Sequence, residues 1–97
     1  MANPARGEAA IAGFRLRPSF AALVAAEGEL GPLFGLVERA AAGELTLAET
    51  VALLWHVCDP KPEGLTRTGF GEAVCAGGLV ALAPALRVVL EQILRGR

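Results

Sequence analysis

The sequence predicts an α+β fold that is mostly helical, with a short N-terminal β-hairpin followed by four or five packed helices. Three observations carry this expectation. Phe14-Arg15-Leu16-Arg17 alternates apolar and basic residues, the period of a half-buried strand. Helix-starting signals appear at Ser19 and at Thr46-Leu47-Ala48-Glu49. Gly and Pro then punctuate the apolar stretches at 31–32, 60–64 and 77–78. The 97 residues are expected to form a single domain (1–97), with a loose leader over 1–6, a hairpin over 7–17 and a helical part over 19–95.

The hairpin strands fall at 7–12 and 14–17 and turn at Ala12-Gly13. Pro18 ends the second strand, because it lacks the donor a ladder needs. So small a hairpin must lean on helices. Its edges either recruit a strand from another chain or are covered by the protein's own helices. Arg15 and Arg17 lie on its polar face, ready to meet acidic residues.

Ser19 caps a helix over 20–30 whose apolar residues are Phe20, Leu23, Val24 and Leu30. Gly31-Pro32 breaks and restarts the chain, and a second helix over 32–42 presents Leu33, Phe34, Leu36 and Val37 before Gly43. Thr46 and Glu49 have the spacing of a capping box, in which each side chain satisfies the other residue's backbone donor. Behind them Leu47, Val51, Leu54 and Cys58 form one apolar seam. Trp55 lies off this seam. It is either an interface anchor or part of a second core face with Leu53 and Val57. A loop follows from Asp59 to Gly64, then a short helix around 67–76 that contains Gly69 and Gly71. The final helix runs to about Arg95 with Leu79, Leu82, Leu86, Val89, Leu90 and Ile93 on one side. Glu91 and Arg95 form an i,i+4 pair on the other side, and Pro84 either kinks this helix or marks its start.

Composition narrows the function. The chain has one Ser, one His, one Lys, one Asp, one Gln and no Tyr, so the usual nucleophiles, bases and charge stabilisers are scarce. No enzymatic activity is expected. Net charge is −1 with dispersed arginines, which gives no basic patch for nucleic acid or an anionic membrane. The longest uncharged run, Ala73–Leu86, has 14 residues and is too short to span a bilayer. Arg6 and Glu8 precede only a weak apolar stretch, unlike a signal peptide. Two cysteines without an export signal are read as cytosolic free thiols. The Ala, Gly, Arg and Leu bias suggests a GC-rich bacterial genome. The apolar fraction, 54 %, exceeds what a small monomer hides easily, so self-association or a partner groove is expected.

His56-Val57-Cys58-Asp59 invites a metal or nucleophile reading, with Cys75 the next thiol. A zinc site needs three or four convergent ligands, and too few stand together here; no metal or cofactor is expected. Gly69-Phe70-Gly71 lacks the third glycine and the preceding strand of a nucleotide loop.

Several stretches together carry a family resemblance. They are Met1-Ala2-Asn3 with Arg6-Gly7-Glu8, the join Arg15-Leu16-Arg17-Pro18-Ser19-Phe20-Ala21-Ala22-Leu23, then Glu27 and Gly31. Gly43-Glu44-Leu45-Thr46-Leu47-Ala48-Glu49 and the stretch from Gly77 to Leu94 complete the set. With these the chain resembles the phage-like tail assembly chaperones encoded by gene transfer agents of alphaproteobacteria. The resemblance implies a non-enzymatic role in building a phage-like tail. In that role the chain binds the tape measure protein, keeps it soluble and presents it to the tail tube protein. It leaves open a structural tail tube subunit instead, which would form a homo-oligomer. Expected locations are the bacterial host cytoplasm and phage-like particles. The residues expected to contact a partner are Trp55, Phe34, Phe70, Arg15 and Arg17.

Overall fold

A computed structural model describes residues 9–96; the expected leader over 1–6 and the first two hairpin positions, 7 and 8, lie outside them. Strand β1 (Ala9–Ile11) pairs antiparallel with β2 (Phe14–Leu16), with Ala9 opposite Leu16 and Ile11 opposite Phe14. The turn between them is Ala12-Gly13, and both residues have positive φ, 53° and 83°. Two left-handed residues give the turn a twist that matches the strands. Gly13 takes this conformation freely, whereas Ala12 takes it at a cost of roughly 1–2 kcal/mol.

Alternation along the hairpin holds as expected. Ala9, Ile11 and Leu16 are buried, while Arg15 and Arg17 point outward. The outer edge of β2 is occupied by the protein's own chain. Asp59 N–H donates to the Arg15 carbonyl at 3.0 Å and Arg17 N–H donates to the Val57 carbonyl at 2.6 Å, a bridge centred on Leu16 and Cys58. Residues 57–59 therefore act as a short third strand, which ties the hairpin to the end of a helix.

Helix α1 (Phe20–Leu30) starts where Ser19 Oγ accepts from Ala22 N–H and stops at Gly31, φ 94°. Helix α2 (Leu33–Ala41) turns away from it at 82°. Glu27 accepts from Leu33 N–H across the break at 2.9 Å, placing a carboxylate at the N-terminus of α2, where the helix dipole favours it. Helix α3 (Leu47–Val57) has the expected capping box, with both Thr46–Glu49 hydrogen bonds at 3.0 Å. Helix α4 (Arg67–Ala76) is capped by Thr66, whose hydroxyl accepts from Gly69 N–H. After Gly77-Gly78 a 3-10 turn (Leu79–Ala81) leads into α5 (Leu82–Arg95). Pro84 thus sits in the first turn of α5, where its missing N–H would have had no helical acceptor, and it marks a start rather than a kink.

Two apolar clusters meet at α3. Leu54, Val57 and Cys58 join Phe70, Val74, Val89 and the hairpin residues Ile11 and Leu16 in the larger one. Leu53 turns the other way and packs with Ala26 and Leu36. The predicted seam is thereby corrected at its N-terminal half. Leu47 is 47 % exposed and Val51 half-buried, because no element covers that side of the first turn of α3. The helix is buried on two sides, as the alternative for Trp55 supposed, but Val57 lies with Leu54 and Cys58, and Trp55 packs against that same cluster, leaving Leu53 on the other side.

Gln92 is the exception inside this packing. It is buried on α5 beside Val89, and neither its amide nitrogen nor its oxygen has a hydrogen-bond partner among the described residues. A buried polar group left unpaired costs about 1–3 kcal/mol. Gln92→Met, similar in length and apolar, is therefore expected to stabilise the protein by about 1 kcal/mol or more. Urea unfolding should show a higher midpoint at unchanged slope. A lower midpoint would mean that Gln92 has a partner, such as a bound water.

Candidate functional site

The five residues expected to meet a partner are dispersed. Phe70 is fully buried, its ring 5.1 Å from Phe14 and 5.7 Å from Trp55. It is a core anchor with no surface to offer, and its place in the contact set is corrected. Its burial follows from α4 packing on α3, where Gly71 faces Val51 and a Cβ there would lie 3.4 Å from the valine, at contact distance. Trp55 is half-buried. Its other face is covered by Lys61, whose Nζ stands 4.9 Å from the ring centre and donates to the Cys58 carbonyl at 2.9 Å. Phe34 does stand out, 80 % exposed on α2. Arg15 and Arg17 are exposed on the hairpin, and Arg17 lies 3.8 Å from Asp59.

Sequence reasoning missed a larger apolar surface. Phe20 is 85 % exposed and Val24, one turn on, 50 %. Val80, Leu79 and Leu94 are also exposed. Leu47 was expected on the seam of α3 and Leu79 on the apolar side of the final helix, while Phe20 and Val24 were apolar residues of α1 with no face assigned. In α1 the reason is plain: Phe20 to Ala26 contains no polar residue, so no hydrophobic stripe tells inside from outside.

Among the described residues a groove of about 570 Å3 lies between the C-terminal end of α1, the first turns of α3, and α4. Leu30, Leu47, Val51 and Gly71 line it, and Cys75 borders it. Its rim is held by polar links. Glu29 at the end of α1 receives two hydrogen bonds from Arg67, at 2.6 and 2.8 Å, and lies 2.7 Å from His56 Nε2. One carboxylate thus joins α1, α3 and α4. Glu49, also on the rim, is held below the usual carboxylate range by the Thr46 N–H and then by Arg39 at 3.1 Å. The fourth rim charge, Glu72, is exposed and has no ion-pair partner among the described residues.

The residues weighed for metal or thiol chemistry have structural positions. His56 is engaged by Glu29. Cys58 is a buried free thiol that burial pushes up in pKa, which holds it in the poorly nucleophilic form. Cys75 is free and exposed on α4. Among the described residues no three His, Cys, Asp or Glu side chains converge as metal ligands.

A model of the family described as phage tail tube protein, GTA-gp10, matches residues 8–96. No curated protein and no solved structure matches the chain. The match bears out the expected gene transfer agent tail family. Its description names the tube, and so fits the structural-subunit alternative better than the tape measure chaperone.

The rim link carries a pH dependence. Hydrogen bonds from Arg67 first, then His56, hold the Glu29 carboxyl down from 4.5 to about 2. A carboxyl whose pKa is lower in the folded state contributes stability that is complete above its unfolded value. That contribution is lost as pH falls from about 4.5 towards 2. Glu29→Gln is expected to flatten the acid limb of the stability profile in that window. Thermal melts of both proteins from neutral to acid pH measure it, and parallel acid limbs would count against the link.

Proposed function

The chain belongs to the phage tail tube family of GTA-gp10, and we propose that within it the protein is a structural subunit of the tail of a phage-like particle. The observation that carries this reading is the family match across 8–96. The surface is consistent with it. Among the described residues seven large apolar side chains are exposed, Phe20, Phe34 and Val80 among them, and a chain of 97 residues gains from covering such area in an assembly. No single described helix is long and apolar enough to cross a membrane.

A subunit of this kind acts by geometry rather than by reaction. Its function requires surfaces that fit copies of itself and adjoining tail proteins with fixed orientation. The tape measure protein becomes a neighbour in the finished tail rather than a client handed on during assembly.

The test is the composition of purified particles. Particles from a host carrying the tail gene cluster, analysed by quantitative mass spectrometry, are expected to contain this chain in many copies per tail. Absence from mature particles, with recovery of the chain in a soluble complex with the tape measure protein, would replace this reading by the chaperone.

A further inference from the structure

We propose that the outer edge of β1 pairs with β1 of a second copy of this chain, antiparallel about a two-fold axis at Ala10, so that two hairpins join into one sheet. The pairing goes beyond the structural-subunit reading and needs only the hairpin as it is built.

The register decides which backbone groups face outward. The two-residue turn makes Ile11 and Phe14 a hydrogen-bonded pair, so Ala9 and Leu16 are the next such pair, and Ala10 lies opposite Arg15 without exchanging bonds. The N–H and C=O of both Ala10 and Arg15 therefore point away from the hairpin. On the β2 side the Arg15 carbonyl duly accepts from Asp59 N–H at 3.0 Å. On the β1 side the Ala10 N–H and C=O have no backbone partner among the described residues, and Ala10 is exposed. Open edges are commonly guarded by a charge, a proline or a bulge. Ala9-Ala10-Ile11 has none of these.

An edge of this kind takes an extended backbone, and β1 is complementary to itself. A hydrogen-bonded antiparallel pair needs one residue from each strand that offers both groups outward, and Ala10 meets that need on both sides of a two-fold axis. The same register sets Ile11 opposite Ala9 of the second copy, and Ala9 opposite its Ile11. Large thus faces small on the apolar side, while two methyl groups face each other on the solvent side. No charge stands in the way. The cleft of about 240 Å3 beside the edge is lined by Ala9, Ala10, Ala81, Pro84, Ala85 and Val88. The two Arg15 side chains would stand three strand spacings apart, roughly 14 Å, which exceeds the screening length of about 8 Å at physiological salt. Opposed residues of an antiparallel pair project to the same face, so both α5 helices, which pack under Ala9 and Ile11, come to lie beneath the joined sheet. The contact is isologous and closes at a dimer.

Residue 10 opposes itself only in this arrangement, which gives a specific test. In size-exclusion chromatography with light scattering, the wild-type protein is expected to pass from monomer to dimer as its concentration rises. The Ala10 amide should gain protection from hydrogen exchange in step. Ala10→Lys and Ala10→Glu should each weaken dimerisation by about fivefold or more, because like charges stand directly opposite, and an equimolar mixture of the two should form the heterodimer. Ala10→Pro removes the outward N–H and no bond within the hairpin, so it should keep its circular dichroism spectrum and stay monomeric. A wild-type monomer up to millimolar concentration would overturn the proposal, as would an Ala10 amide already protected in the monomer. A folded Ala10→Pro dimer, or charge variants that stay monomeric when mixed, would overturn it equally. Particle composition bears on the subunit reading alone and leaves this dimer standing or falling by itself.

Discussion

Burial of α3 on two sides is the constraint from which the rest of the fold follows. Leu53 and Leu54 are adjacent in sequence, both wholly inaccessible, and face different clusters. Neighbouring helical residues point about 100° apart, so both can be buried only if elements pack on two flanks of the helix. One flank is supplied by α1 and α2, the other by α4, α5 and the hairpin. Truncating either leucine would leave a cavity and cost about 2–5 kcal/mol, a large share of the stability of a small domain. The hairpin depends on the same helix, since the bonds from Arg15 and Arg17 reach the backbone at 57–59 where α3 ends.

This arrangement determines what is left outside. A domain of this length buries a limited fraction of its surface. With α3 taking the central position, α1 packs through Ala26 and partly through Leu23 and Leu30, which leaves Phe20 and Val24 uncovered. The first turn of α3 extends beyond its neighbours, and Leu47 there becomes the wall of a groove. The apolar projections and the groove thus share one origin, a buried central helix whose first turn its neighbours leave partly uncovered. Polar links then fix the groove, because Glu29 binds three helices through Arg67 and His56.

Boundaries were legible in the sequence and faces were not. Ser19, Thr46 with Glu49, and the Gly-Pro and Gly-Gly breaks act through local hydrogen bonds and φ preferences, so they placed the helix ends within a residue or two. The hairpin was equally local: an alternating strand beside a turn that accepts positive φ. Which side of α1 is buried depends instead on distant partners, and a helix apolar all round carries no record of them. Phe70 was misjudged for the same reason. An aromatic between two glycines looked available, whereas α4 packs on α3 with Gly71 against Val51 and the ring enclosed between Phe14 and Trp55. The groove could not have been read at all, since its walls come from three helices. The one trace was Glu29, which with Glu27 interrupts the end of an otherwise apolar helix.

The character of the exposed surface bears on what kind of binder this is. A protein that holds a long, variable client gains from adaptable apolar side chains, and methionine supplies that adaptability. Here the only methionine is Met1, and the exposed apolar residues are Phe, Val and Leu. Phenylalanine and the β-branched valine have few rotamers to lose on ordering, so they bind at lower entropic cost but in one geometry. The groove is likewise held open by ion pairs and a capping box rather than by mobile loops. Rigid, preformed surfaces favour repeated contact with one partner shape. That is the requirement of a subunit repeated along a tail, and it is a poor match to a chaperone whose client changes along its length.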